Sequence, residues 1–125
     1  MLARNEHRRS PRIPKMLDAS IERTALVQIE GRNRVVPALI CDVSREGLGL
    51  AALETFDVDA PVRVSIDLSK EGLGAQHLVI PAVVRHCTAV RKRGYKVGLQ
   101  IRKELAGHGL TVWMELLQRW TTKLH

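Results

Sequence analysis

Residues 61–68, PVRVSIDL, alternate strictly: Val62, Val64, Ile66 and Leu68 fall on one side, Arg63, Ser65 and Asp67 on the other. A period of two marks a strand with one buried face, because successive side chains leave the pleat in opposite directions. Comparable segments fill most of the chain. Residues 21–30 (IERTALVQIE) alternate loosely, GRN at 31–33 is a turn, and residues 34–41 (RVVPALIC) return as the second strand of a hairpin. Pro37 inside that strand calls for an edge position or a bulge. DVSREG at 42–47 breaks the pattern, and residues 48–53 resume as a short apolar strand. After the connection at 56–60 and the strand at 61–68, SKEGLGAQ reads as a loop and residues 77–90 as a long strand. RKRG then turns the chain into a last strand over 95–102. Six short strands with glycine-bearing turns and no intervening helix predict an antiparallel barrel or sandwich.

The tail obeys a different period. Trp113, Leu116, Leu117, Trp120 and Leu124 recur at helical spacing, and Arg119, Lys123 and His125 sit where a helix dipole favours cations. A helix over 109–124 is expected, packed as a lid on one barrel opening rather than left as a free partner-binding face. At 125 residues the chain makes one domain, divided into an N-terminal arm over 1–20, a barrel over 21–103 and the helix. No apolar run approaches the roughly 18–20 residues of a membrane span, and the N-terminus lacks the apolar segment of a signal peptide. A cytoplasmic protein, monomeric or weakly dimeric, is expected.

Charge points to an anionic partner. Twenty Lys and Arg against thirteen Asp and Glu leave a net charge of +7. Residues 1–15 hold five basic groups against Glu6, and residues 85–103 hold seven against no acid. Chemistry of an enzymatic kind is not visible, and the chain is read as a non-enzyme. The five histidines are scattered outside any HExxH frame, and neither GxSxG nor a phosphate-binding GxxxxGK[ST] loop occurs. Asp57 and Asp59 read as solvated turn acids. Cys41 and Cys87 lie in apolar stretches and read as buried strand thiols; without a CxxC or a His/Cys cluster, neither a zinc nor any other cofactor is expected.

The arm is unusual in detail. Arg4, Arg8, Arg9 and Arg12 precede the first lysine, Lys15, and Pro11 and Pro14 stiffen the run. A tetrapeptide EGLG occurs twice, at 46–49 and at 71–74. The first follows Asp42-Val43-Ser44 and the second Leu68-Ser69-Lys70, so Asp-x-Ser-x-x-Gly is read as occurring only once, at the first copy. An aspartate and a serine two apart in an extended stretch project to the same side, and the glycine allows backbone to approach a ligand closely.

Arg8-Arg9-Ser10-Pro11-Arg12 contains Arg-x-x-x-Arg, and Asp42-x-Ser44-x-x-Gly47 follows about thirty residues later. With Val83-Val84-Arg85-His86 ahead of Tyr95–Ile101 and a terminal helix, this order resembles the PilZ domain family over nearly the whole chain. The resemblance implies a six-stranded antiparallel β-barrel plus C-terminal helix that binds the second messenger cyclic di-GMP. It implies Arg8, Arg9, Arg12, Asp42, Ser44 and Gly47 as ligand contacts, with His7 and Arg85 as additional ones. His7 departs from the arginine often found there, a position linked in the family to binding one ligand or a stacked pair. Without an attached output domain, such a receptor acts on an effector protein through a change in affinity.

The ligand's chemistry accounts for the residue types. Guanine offers O6 and N7 as adjacent acceptors, which an Arg fork matches bidentately and a Lys does not. Asp42 can accept from a guanine N–H edge, and Ser44 can serve phosphate or base. An arm without alternating apolar residues is expected to be mobile before binding and ordered by it. Two other readings remain: a basic barrel for RNA or single-stranded DNA, and a PilZ-like adaptor without a ligand. Aromatic residues at only 3% give little for nucleic-acid bases to stack on, so nucleic acid is the less favoured partner.

Overall fold

The alternation of residues 61–68 is realised as a strand whose Val62, Val64, Ile66 and Leu68 are all buried. The computed structural model describes residues 15–16, 23–74 and 76–122. The arm arginines Arg8, Arg9 and Arg12, with His7, and the mobility expected of the arm lie outside these. The strands are β1 (Lys15–Met16), β2 (Thr24–Ile29), β3 (Val35–Ser44), β4 (Gly47–Ala52), β5 (Pro61–Asp67), β6 (His77–Val90) and β7 (Gly94–Ile101), followed by helix α1 (Gly107–Thr122).

Every pairing is antiparallel, in the order β1-β3-β2-β5-β6-β7-β4, and β4 pairs back onto β3. That last pairing closes the six long strands into a barrel, leaving two-residue β1 attached outside the ring along β3. Closure removes the free edges that an open sheet would present. Val27, Leu50, Val64, Ile80, Val84 and Val97 fill the interior and are almost fully removed from water.

Three expectations are corrected. DVS at 42–44 does not break the strand: β3 runs through Ser44, and only Arg45 and Glu46 form the turn. β4 accordingly covers Gly47–Ala52 rather than 48–53, and Leu53 lies outside it. Cys41 and Cys87 are only half-buried, and both are free thiols. Pro37 does sit where β3 runs past its neighbour, one residue beyond the last β3–β4 pair, Ala38 with Ala52. The bulge in β3 lies elsewhere, at Cys41.

The helix starts at Gly107, two residues earlier than its periodicity suggests, because Gly107-His108-Gly109 is a poor helix-forming turn that carries no apolar stripe. Trp113 and Leu116 are fully buried and Trp120 nearly so, all within the core cluster of the barrel. The lid arrangement follows. Each indole finds a partner: Trp113 Nε1 donates to the carbonyl of Arg45 at 3.4 Å, and Trp120 Nε1 to Glu71 Oε2 at 3.4 Å. Arg23 stacks over the Trp120 ring at 5.0 Å. Among the described residues no helix is long and apolar enough to cross a membrane.

Candidate functional site

Two bulges shape one face of the barrel. On β3, Ile40 pairs with Leu50 but Asp42 already pairs with Gly49, so Cys41 is the extra residue. On β6, Val84 pairs with Leu99 and His86 with Gly98, so Arg85 is the extra residue. Ile40 and Val84 point into the core. Simple alternation would send Asp42 and His86, two residues further on, into the core as well. Each bulge shifts the parity by one and turns the polar side chain outward.

The pairs join into a row across four strands: Asp42 with Gly49, Gly49 with Gly98, Gly98 with His86. Neither central residue has a side chain. A Cβ on Gly49 would collide with the Asp42 carboxylate, and one on Gly98 with the His86 imidazole. The polar groups therefore lie flat over bare backbone. The resulting cleft, of about 550 Å³, is lined by Asp42, Ser44, Gly47, Gly49, Arg85, His86, Lys96 and Gly98.

The expected motif residues are gathered here. Asp42 and Ser44 share the outer side of β3, with fully buried Val43 between them. Ser44 Oγ reaches the Gly47 carbonyl at 3.5 Å across the two-residue turn. That turn is held from behind, since Trp113 binds the Arg45 carbonyl and the Ile101 amide donates to the Glu46 carbonyl at 2.8 Å. Arg85 lines the cleft but has partners of its own, donating through Nε to Gln100 Oε1 at 2.7 Å and through Nη1 to Asp59 Oδ1 at 3.1 Å. Burial, with the Asp42 carboxylate as a second cause, pushes the Cys41 thiol above its ordinary range and keeps it protonated.

Reserving the motif for the first EGLG copy on sequence grounds is corrected. Asp67-Leu68-Ser69-Lys70-Glu71-Gly72 also spells Asp-x-Ser-x-x-Gly. Conformation separates the two. Asp67 ends β5, and its carboxylate accepts from the Ser69 amide at 2.8 Å, a local turn contact that holds its pKa down. Gly72 and Gly74 adopt positive φ in a loop outside the sheet. The second copy thus folds upon itself, whereas the first presents Asp42 and Ser44 to a cleft.

His86, Lys96, Gly49 and Gly98 are cleft residues that sequence reasoning did not select. The signal available was the pair of glycines inside otherwise apolar strands, which marks close approach of another group. The basic cluster of 85–103 is divided: Arg85 and Lys96 face the cleft, while Arg91, Lys92 and Arg93 form the β6–β7 turn.

The barrel has known counterparts. It superimposes on the PilZ domain of YcgR from Escherichia coli, a structure with cyclic di-GMP, with a TM-score of 0.69 at 6% identity, covering 90% of this chain and 92% of that one. The inhibitor of motility MotI/DgrA of Bacillus subtilis gives a TM-score of 0.66 at 17% identity, over 90% of this chain and 51% of the other. The MrkH–cyclic di-GMP complex of K. pneumonia gives 0.66 at 16% identity, over 90% and 52%. The chain spans about half the length of these last two. No curated protein matches the sequence. The PilZ domain family matches residues 6–122, which is nearly all of the sequence, and the chain belongs to that family.

Proposed function

We propose that the chain is a cyclic di-GMP receptor that closes its N-terminal arm over the cleft and thereby changes its affinity for an effector protein. One observation carries the reading. β1 pairs with β3 through Lys15 opposite Val43 and Met16 opposite Asp42, so the arm leaves the barrel beside the aspartate of the motif. At no more than about 3.6 Å per residue, Arg12 starts within about 11 Å of Lys15 and Arg8 within about 25 Å. The chain length thus lets Arg8, Arg9 and Arg12 reach the cleft.

The chemistry fits the ligand. Laid over the Gly49–Gly98 floor, the His86 imidazole offers a flat ring to stack on and Asp42 an acceptor for guanine N–H groups, while Lys96 supplies charge for phosphate. Arg8, Arg9 and Arg12 contribute forks for guanine edges and phosphates from the arm side. Arg85 lines the same space from β6, and His7 is an additional contact in this proposal. Two relatives of this fold, the YcgR domain and MrkH, are described with cyclic di-GMP. Against nucleic acid as the partner, both tryptophans are spent in the lid and leave no stacking platform.

Calorimetric titration of the full chain tests this. Saturable binding of cyclic di-GMP is expected, with cyclic di-AMP much weaker because adenine lacks the O6 acceptor. No heat with cyclic di-GMP, or equal affinity for both, overturns the reading.

A further inference from the structure

Along the outer face of β4 the ligand cleft ends and a second surface begins. Leu39, Ala51, Lys96 and Thr88 form the cross-strand row next to that of Asp42, Gly49, Gly98 and His86. Beyond it β4 leaves the sheet, and Leu53 stands 83% exposed. A shallow groove of about 360 Å³ opens there, with Pro37, Leu39, Ala51 and Leu53 along it and Arg93 at its rim. Half-exposed Leu26, the cross-strand neighbour of Pro37, extends the apolar area onto β2. Contiguous apolar surface of this kind marks an interaction site more often than a bare exterior.

Charge at the groove's mouth comes from the β6–β7 turn. Gly94 packs against the backbone of Ala52 and Leu53, which sets Arg93 in the groove's lining, with Arg91 and Lys92 its neighbours in the same turn. Among the described residues no carboxylate pairs with any of the three. Pro37 limits how an occupant can bind. The Ile40 amide donates to the Arg23 carbonyl on the β2 side, so by alternation the Pro37 nitrogen faces the side where β4 has ended. Proline has no N–H, and an added strand finds no donor there. Side-chain contacts therefore carry more of the binding there.

We propose that this groove docks an acidic amphipathic segment of a partner protein, an apolar side chain seated beside Leu53 and carboxylates on Arg91, Lys92 and Arg93. A second copy of the chain is the poorer occupant, because it brings another net +7 and the same cationic rim. The surface lies outside the cleft, so the proposal does not depend on which ligand the cleft takes.

The test is selection of a phage-displayed random peptide library on the immobilised full-length protein. Enriched sequences are expected to share a Leu, Ile, Phe or Trp flanked by Asp or Glu. A synthetic peptide of that sequence should lose at least about tenfold in affinity on Leu53→Gln and on the Arg91→Gln/Arg93→Gln pair, as at a small hot spot. Lys103→Gln, an exposed cation elsewhere, should leave it unchanged. Failure to enrich acidic-apolar sequences overturns the proposal, as does equal loss with Lys103→Gln, which reduces it to general charge. It is likewise overturned if Leu53→Gln abolishes a wild-type dimer in sedimentation, or binding to phosphatidylcholine–phosphatidylserine vesicles.

Discussion

Gly49 of β4 and Gly98 of β7 are direct cross-strand partners, and the Asp42 carboxylate and the His86 imidazole each lie over one of them. Two strands that would otherwise raise side chains there let both polar groups lie down against the backbone of the cleft floor instead. Gly49→Ala adds a methyl where the Asp42 carboxylate rests. Affinity for cyclic di-GMP should fall by about tenfold or more, ~1.4 kcal/mol, with little change in the thermal midpoint. Calorimetry beside a melting curve separates the two effects; equal loss of stability and binding would assign the glycine to folding instead.

The two Asp-x-Ser-x-x-Gly copies serve as controls for each other. Asp42→Ala should weaken ligand binding, whereas Asp67→Ala should leave it at the wild-type level, because Asp67 is engaged by Ser69. Equal sensitivity in a titration would mean that the cleft is misplaced.

Asp67 also carries a pH signature. The Ser69 amide first, then its hydroxyl, holds the carboxyl below its usual range. Its contribution to stability is therefore present above about pH 3.9 and lost as pH falls through the lowered folded value. The difference in melting temperature between wild type and Asp67→Asn should shrink on acidification below that point. A constant difference from pH 7 to pH 2 would contradict it.

Trp113 joins lid and turn. Trp113→Phe keeps most of the packing but removes the donor to the Arg45 carbonyl, at about 0.5–1.5 kcal/mol of stability. Trp120→Ala, which empties a buried site under Arg23, should cost about 3–5 kcal/mol. Denaturant unfolding measures both, and a near-neutral Trp120→Ala would return the helix to the class of exposed partner faces.

The arm separates geometry from charge. Arg8→Lys and Arg12→Lys preserve charge but lose the bidentate fork, and each should weaken cyclic di-GMP binding by about 1–3 kcal/mol, roughly 5- to 150-fold. Arg91→Ala and Arg93→Ala, on the turn outside the cleft, should show only small effects that vanish in salt. Lysine variants that bind like wild type would reduce the arm to a generic basic tail.

The sequence by itself determined the elements. A strand such as 61–68 declares its buried face through Val62, Val64, Ile66 and Leu68, and the helix through Trp113, Leu116 and Trp120, because both periodicities are local consequences of backbone geometry. The motif residues Asp42, Ser44 and Gly47 were legible for a related reason, being close neighbours in sequence. The floor of the cleft was not. Alternation alone puts Asp42 on the face of Ile40 and His86 on that of Val84, and only pairing with β4 and β7 creates the bulges that reverse them. Nor could eight letters tell DVSREGLG from DLSKEGLG. The first is drawn into a two-residue hairpin because β3 and β4 both find partners along their length, while the second leaves β5 where pairing ends and folds onto its own aspartate. Strand register is a long-range property, set by which chains of hydrogen bonds and buried faces can close together, and it decided which of two closely similar sequences opens onto the cleft.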